Sequence, residues 1–428
     1  MSELSKRTPV IVDLGRSPID KMLGVTSGKI IEVAGKVGSV ILNRLIGRYP
    51  KLDPEMFNGI ILGHVLDTMY GQSTAAQVGK RMGLPDTVPP MNIKTVCGSA
   101  MSSAFVACDA IWADRGRDLF FIGGLEDMGA APFALKQNIR LMGWPMMTAR
   151  VRKIAEKVAL WAESKEANIG FDELTLLDLM ILDGLTDATR DIHMGVIAEE
   201  IAVQAKLDRE TLDKIAAQSH ERALDAIENG WFSDEIIPVE LDGGVMFDTD
   251  QGPRKPNLEK MAQLPTIFKP DGGMVTAGNA SQISSGFAGG VICSLGFAEA
   301  NDLEPLAYIH DYHHESCDSD DLFWAPVGGI QQLLAQNSLK VDDDDILFEI
   351  NEAFVAQVEA DRRELDIPWE RLNVHGGATA LGHPIGASAW RIVVTLFHAM
   401  KRLGKKKGIA SACHGHGGSV NIYIERAV

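Results

Sequence analysis

Three short segments hold residue types whose spacing suits covalent chemistry. Cys97 follows a strand-like segment from Met91 to Val96 and precedes Gly98-Ser99-Ala100-Met101-Ser102-Ser103-Ala104. A strand running into a helix of small residues would place the Cys97 sulfur at the helix's first turn. There, unpaired N–H groups and the positive dipole end favour a thiolate nucleophile. The competing reading is a buried, inert cysteine. His383 stands between Gly382 and Pro384 in the glycine-punctuated stretch from Asn373 to Gly386. It is either a satisfied core histidine or the base that activates Cys97. Cys413-His414-Gly415-His416-Gly417-Gly418 adds a second thiol able to shuttle protons, with Gly415 placed to offer an N–H to an oxyanion. His375, His383, Cys413, His414 and His416 are also zinc-capable, but no Cys-x₂-Cys or His-x₃-His spacing accompanies them, so no metal is expected. His313, His314 and Cys317 likewise suggest a metal, but the reading preferred for them is a polar loop.

The elements that must carry these residues follow from period and length. Pro9-Val10-Ile11-Val12 and Gly59-Ile60-Ile61-Leu62 are short apolar runs bounded by turn residues, hence buried strands. A helix over 68–82, a strand over 91–96, a helix over 98–113 and a strand over 118–122 ending in Gly123-Gly124 continue an α/β alternation. The C-terminal half repeats that order with a strand over 345–350, a helix over 352–364, a strand over 372–374, a helix over 386–403 and a strand over 408–413. Small residues follow each central strand alike, Gly98-Ser99-Ala100 against Gly386-Ala387-Ser388, so the chain reads as duplicated. Between the halves, 132–280 changes to helical periodicity. Asp208 there caps a helix running to Asn229, with Gly230 as its stop. Met142, Trp144, Met146, Met147 and Trp161 form an adaptable apolar set, either an acyl-binding surface or the insertion's own core.

Charge and length bound the remaining possibilities. The 428 residues carry 41 basic and 58 acidic side chains, a net of −17, which argues against a broad surface for nucleic acid or anionic lipid. Five scattered cysteines fit free thiols in a reducing compartment. No apolar run of about 20 residues and no targeting pattern over 1–10 is present, so the expectation is a cytoplasmic protein without a membrane span.

Taken together, Val96-Cys97-Gly98-Ser99, Asn351-Glu352-Ala353-Phe354, Gly382-His383-Pro384 and Cys413-x-Gly415-x-Gly417 resemble the four catalytic blocks of the thiolases, in the family's order. The resemblance runs from Pro9 to the C-terminus through Gly123 to Met128, Asp183 to Asp187 and Thr276 to Ser281. It implies an α/β, duplicated five-layer α-β-α-β-α thiolase fold with an inserted helical loop domain. The N-terminal half would span 1–131, completed by about 281–302; the CoA-binding insertion 132–280; and the C-terminal half 303–428. The resemblance makes Cys97 the acylated nucleophile, His383 its activator, Cys413 the acid/base at the substrate α-carbon and Asn351 the holder of a water. Cys97 and Gly415 N–H groups would form one oxyanion site, and His383 with that water the other. His193, Met194 and Ser281 match pantetheine contacts, and Arg254 and Lys255, with Lys260 the weaker choice, lie near the nucleotide segment. Coenzyme A and acyl-CoA are then substrates, with no permanent cofactor. A homodimer or homotetramer is implied, and a partner subunit of a β-oxidation complex is open.

Three departures bear on specificity. Ser99-Ala100-Met101-Ser102 replaces Ser-Gly-Leu-Lys, His416 replaces Gly, and His375 replaces the usual Asn, a variant that favours a short acyl group at the substrate site. Against that, the stretch 133–183 is long and rich in Met and Trp, which suits a larger one. The alternatives are a ketoacyl-synthase-like condensing enzyme, which lacks a second reactive cysteine, and a non-catalytic acyl-CoA-binding subunit of the same fold.

Overall fold

The computed structural model describes residues 4–135 and 176–427. Met142, Trp144, Met146, Met147 and Trp161 lie outside them. In the N-terminal half, β1 (Pro9–Arg16), β2 (Gly59–Gly63), β3 (Pro90–Ile93), β4 (Leu119–Asp127) and β5 (Ser284–Ser294) take the order β1-β5-β4-β2-β3. In the C-terminal half, β6 (Ala307–Ser316), β7 (Ile346–Ile350), β8 (Lys407–His414) and β9 (Gly418–Arg426) take the order β6-β9-β8-β7. The sense of pairing also repeats, with β2–β4 and β7–β8 parallel and β4–β5 and β8–β9 antiparallel. One topology occurs twice. Pairing of Val10 with Tyr308 and Ile11 with Ala307 joins the halves into one sheet. His313 and His314 belong to β6, so the expected polar loop is a strand there.

The longer helices among the described residues are α1 (Ile30–Arg48), α2 (Thr74–Met82), α3 (Ser99–Trp112), α4 (Met194–Gln204), α5 (Arg209–Glu228), α6 (Ala325–Gln336), α7 (Val355–Glu364) and α8 (Ile385–Leu403). Between the two halves, α3 and α8 share one core, in which Phe105, Trp390 and Val394 meet Ile122 and Ile292 on one side and Ala410 and Ile422 on the other. Residues of α1 and α2 cover the outer N-terminal face, and α6 and α7 the outer C-terminal face. That is the five-layer arrangement. Each fully buried large apolar side chain contributes about 1.5–3 kcal/mol here.

The small residues of α3 and β4 serve close approach. A Cβ on Gly124 would stand 2.1 Å from the Gly386 carbonyl oxygen, so glycine lets β4 pass beneath the start of α8; the strand expected to stop at Gly123-Gly124 runs on to Asp127, its last residues paired with Ser285 to Phe287 of β5. The expected strand over 372–374 shrinks to a single bridge, Phe348 to Leu372. Asn373 turns into the left-handed region (φ 47°), and its side chain replaces the ladder by accepting from Ile350 N (2.9 Å) and donating to Ile350 O (2.8 Å). Residues 68–73 are likewise no helix. Ser73 caps α2 by accepting from Ala76 N, and Met69 and Gly71 before it both have positive φ.

Helix α4 begins at the cavity wall with Met194, and α5 packs behind it. Asp208 caps α5 as expected, its carboxylate accepting from Thr211 N at 2.7 Å. Ile197, Ile201, Leu212 and Ala216 pack with Phe354, Val355 and Cys413. Glu352 ties α5 to the loop leading to His383, accepting from Ser219 Oγ (2.7 Å), Thr379 N (3.0 Å) and Asn373 Nδ2 (3.1 Å).

Candidate active site

The turn into α3 presents Cys97 on a strained backbone. Val96, β-branched, has φ 42°, a conformation such residues rarely adopt unless their surroundings impose it. Ser99 imposes it here: its Oγ accepts from Thr95 N (2.9 Å) and donates to Val96 O (2.7 Å). The sulfur then lies 3.2 Å from His383 Nε2.

His383 is oriented by α8. Its Nδ1 is 2.6 Å from Ser388 Oγ, whose own hydrogen goes to the Pro384 carbonyl at 2.9 Å. A hydroxyl that has spent its hydrogen can only accept. The imidazole proton therefore sits on Nδ1, and the Nε2 lone pair faces the Cys97 thiol. Asn351 Nδ2 stands 3.5 Å from both ring nitrogens, while its Oδ1 receives Arg391 Nη2 at 3.5 Å.

Cys97, His383, Cys413 and Gly415 line one cavity of about 550 Å³. His193, Met194 and Ser281 line it too, as expected. The rest of the wall is mostly apolar, among it Met128, Leu185, Phe268, Phe354 and Ile385, with Lys21, Gln282 and His414 as its polar members. The His193 ring stacks on Phe268 at 4.7 Å, and its Nδ1 accepts from Gly195 N.

Two residues expected at the substrate are elsewhere. His375 does not line the cavity. It is fully buried against Trp231 and Phe232 and accepts from Arg402 Nε at 2.8 Å, so the Asn-to-His change acts on packing rather than on direct contact. Arg254 is exposed outside the cavity lining, with its backbone N–H donating to His220 Nδ1 at 3.3 Å. Lys255 and Lys260 are exposed as well. The zinc-capable residues are not gathered: among the described residues no group of three such side chains is positioned to hold a metal. Ser388, Phe268 and Met128 were not singled out by sequence. For Ser388 the available signal was a hydroxyl one turn beyond His383, at the start of its helix.

Electrostatics correct one expectation. Burial, with the Glu126 charge adding to it, pushes the Cys97 thiol up to about 12 despite the helix end beside it. Burial, reinforced by Arg391, brings the His383 imidazole down to about 3. The resting pair is neutral thiol and neutral imidazole, so the proton passes to His383 only as attack occurs. Burial, then Cys97 and Asp361, raises Cys413 well above an ordinary thiol. Alkylation of Cys97 by iodoacetamide should therefore rise about tenfold per pH unit from about pH 6 to about pH 9, with no plateau. A plateau below about pH 8 would show a thiolate–imidazolium pair instead.

A cysteine and a histidine in contact at the wall of a largely apolar cavity, on a duplicated α/β fold, suit acyl transfer. Residues 9–295 match the family model for the thiolase N-terminal domain, and residues 303–426 that for the thiolase C-terminal domain. An acetyl-CoA acetyltransferase of Syntrophomonas wolfei is 34% identical over 98% of this chain and 99% of its own length. A probable acetyl-CoA acyltransferase of Staphylococcus aureus is 34% identical over 96% of this chain and 97% of its own. Among solved structures, the Acat5 thiolase of Ascaris suum in complex with coenzyme A superposes with a TM-score of 0.83 at 31% identity, covering 98% of this chain and 100% of that one. The acetyl-CoA acetyltransferase of Bacillus anthracis superposes with a TM-score of 0.84 at 34% identity, covering 98% of both chains. The chain belongs to the thiolase family.

Proposed function

We propose that the protein cleaves 3-oxoacyl-CoA with coenzyme A, giving acetyl-CoA and a shortened acyl-CoA, and runs the reverse condensation on the same site. The observation that carries this is the Cys97–His383 contact at 3.2 Å with Cys413 in the same cavity. Cys97 attacks the 3-oxo carbon as its proton moves to His383 Nε2. The bond from that carbon to the α-carbon breaks, its electron pair stays on the α-carbon, and the Cys413 thiol protonates it to release acetyl-CoA. A thiol held well above its ordinary pKa is already in the form that this step consumes. Coenzyme A then attacks acyl-Cys97, its thiol proton restoring Cys413, and His383 returns a proton to Cys97. The N–H groups of Cys97 and Gly415 stabilise the tetrahedral oxyanion, and His383 with a water held by Asn351 stabilises the enolate oxygen.

Residues 132–280 serve as the coenzyme-binding domain in this account, with His193, Met194 and Ser281 along the pantetheine arm. Arg254 and Lys255, outside the cavity, meet the nucleotide phosphates. A charge-assisted contact is worth about 1.5–3 kcal/mol, so Arg254→Ala should raise the apparent KM for coenzyme A about tenfold with little change in kcat. An unchanged KM would move the phosphate site elsewhere in 132–280. A homodimer or homotetramer fits the open edge of β3, where Met91 is 48% exposed. Among the described residues no helix is long and apolar enough to cross a membrane. A cytoplasmic setting accords with five unpaired cysteines.

The direct test is thiolysis by the purified protein of 3-oxoacyl-CoAs of graded length, ring-bearing ones included. Acetyl-CoA should appear in equal amount to the substrate lost. Failure to cleave any of them would refute the proposal.

A further inference from the structure

Beside the cavity lies a pair of histidines that the reaction above does not use. His314 on β6 and His414 at the end of β8 face each other through their Nε2 atoms at 2.8 Å, with the rings edge to face. His414 Nδ1 is also 2.8 Å from the Gly415 carbonyl oxygen. A carbonyl only accepts, so His414 carries its proton on Nδ1, and its Nε2 must accept from His314 Nε2–H. The two bonds form a directed chain from β6 into the loop that joins β8 to β9.

The surroundings are shaped for these rings. A Cβ on Gly418 would stand 2.6 Å from His414 Cε1 and 2.7 Å from its Nε2, so only glycine lets the pair cross over β9. On the other side, a Cβ on Gly98 would be 3.2 Å from His414 Cδ2. The ring thus fills a slot between the nucleophile's turn and the loop that carries Gly415. That loop is three residues long between the paired His414 and Gly418, and both His416 and Gly417 have φ 73°. A non-glycine residue in that region needs support from its neighbours. One tie is Cys317 N–H to the Gly417 carbonyl at 2.8 Å; the other is the His414 ring on the Gly415 carbonyl. Burial keeps His414 low, at about 4, so its pattern of donor and acceptor persists through neutral pH.

The geometry points to His414, oriented by His314, as a positioning residue that sets the Gly415 backbone so that its N–H aims at the oxyanion formed on Cys97. This rests on the role given to Gly415 above. The histidines touch no reacting atom in this account; they act through the loop.

Asparagine and glutamine separate this role from space filling. An Asn amide overlays the imidazole Nδ1 and a Gln amide overlays Nε2. His414→Leu should lower kcat, and the single-turnover rate of Cys97 acetylation by acetyl-CoA, about 100-fold, with the KM for coenzyme A within about twofold. His414→Asn, which keeps the donor to Gly415, should recover all but about a fivefold loss. His314→Leu should lower kcat about tenfold and His314→Gln should restore it to within about threefold, a comparison that stands even where His414→Leu does not fold. Near-normal kcat in His414→Leu or in His314→Leu would overturn the assignment. So would folded His414→Asn or His314→Gln variants as slow as their leucine counterparts. Absence of acetylation on Cys97 in the unsubstituted protein overturns the role of Gly415 itself, and this inference with it.

Discussion

Cys413→Ala is expected to lower steady-state thiolysis and condensation by about 10³-fold or more while Cys97 still takes an acetyl group from acetyl-CoA within about tenfold of the normal rate. The two thiols line one cavity, but only Cys97 lies within reach of His383 Nε2. Transfer of an acyl group onto Cys97 needs its proton accepted by His383 and an oxyanion site, and neither involves the second sulfur. Carbon–carbon bond making and breaking at the α-carbon does need it, because the carbanion formed there must exchange a proton, and Cys413 is the thiol that shares the cavity with Cys97. Condensation near the normal rate in the alanine variant would remove Cys413 from the chemistry. Loss of acetylation together with turnover would merge the two roles assigned here.

His383→Ala should suppress acetylation itself, by about 10³-fold or more. With Cys97 pushed up to about 12, only about one thiol in 10⁴ is ionised near pH 8, and His383 Nε2 is the base in contact with the sulfur among the described residues. In this variant acetylation should regain rate steeply with rising pH, since hydroxide then replaces the base. A pH-independent residual rate would point to a different acceptor.

Much of this site was legible in the sequence because it is written locally. A strand, a Cys-Gly-Ser turn and a small-residue helix announce Cys97, and glycines on both sides announce His383 and Gly415. Apolar period marked the strands at 9–12, 59–62, 345–350 and 408–413 and the helices at 98–113 and 386–403, but not the helices Ile30–Arg48 and Ala325–Gln336 or the strands Ala307–Ser316 and Gly418–Arg426. What could not be read depends on three-dimensional packing. Asn373 replaces a strand with one side-chain amide, which no periodicity marks. His375 looks like a substrate residue until Trp231 and Arg402 are found enclosing it. The helix end beside Cys97 suggested a thiolate, but the helix dipole is a modest effect and desolvation of the sulfur outweighs it. Ser388 fixes the tautomer of His383 through a carbonyl, and His314 reaches His414 across 100 positions of chain, contacts with no local signature.

The central claim is that acyl groups pass through Cys97. Incubating the purified protein with acetyl-CoA, quenching in acid and mapping peptides by mass measures it most directly. One acetyl adduct is expected, on the peptide carrying Cys97, removed when coenzyme A is added before the quench. An adduct on Cys413 or another cysteine instead, or none in a preparation that turns over, would contradict it.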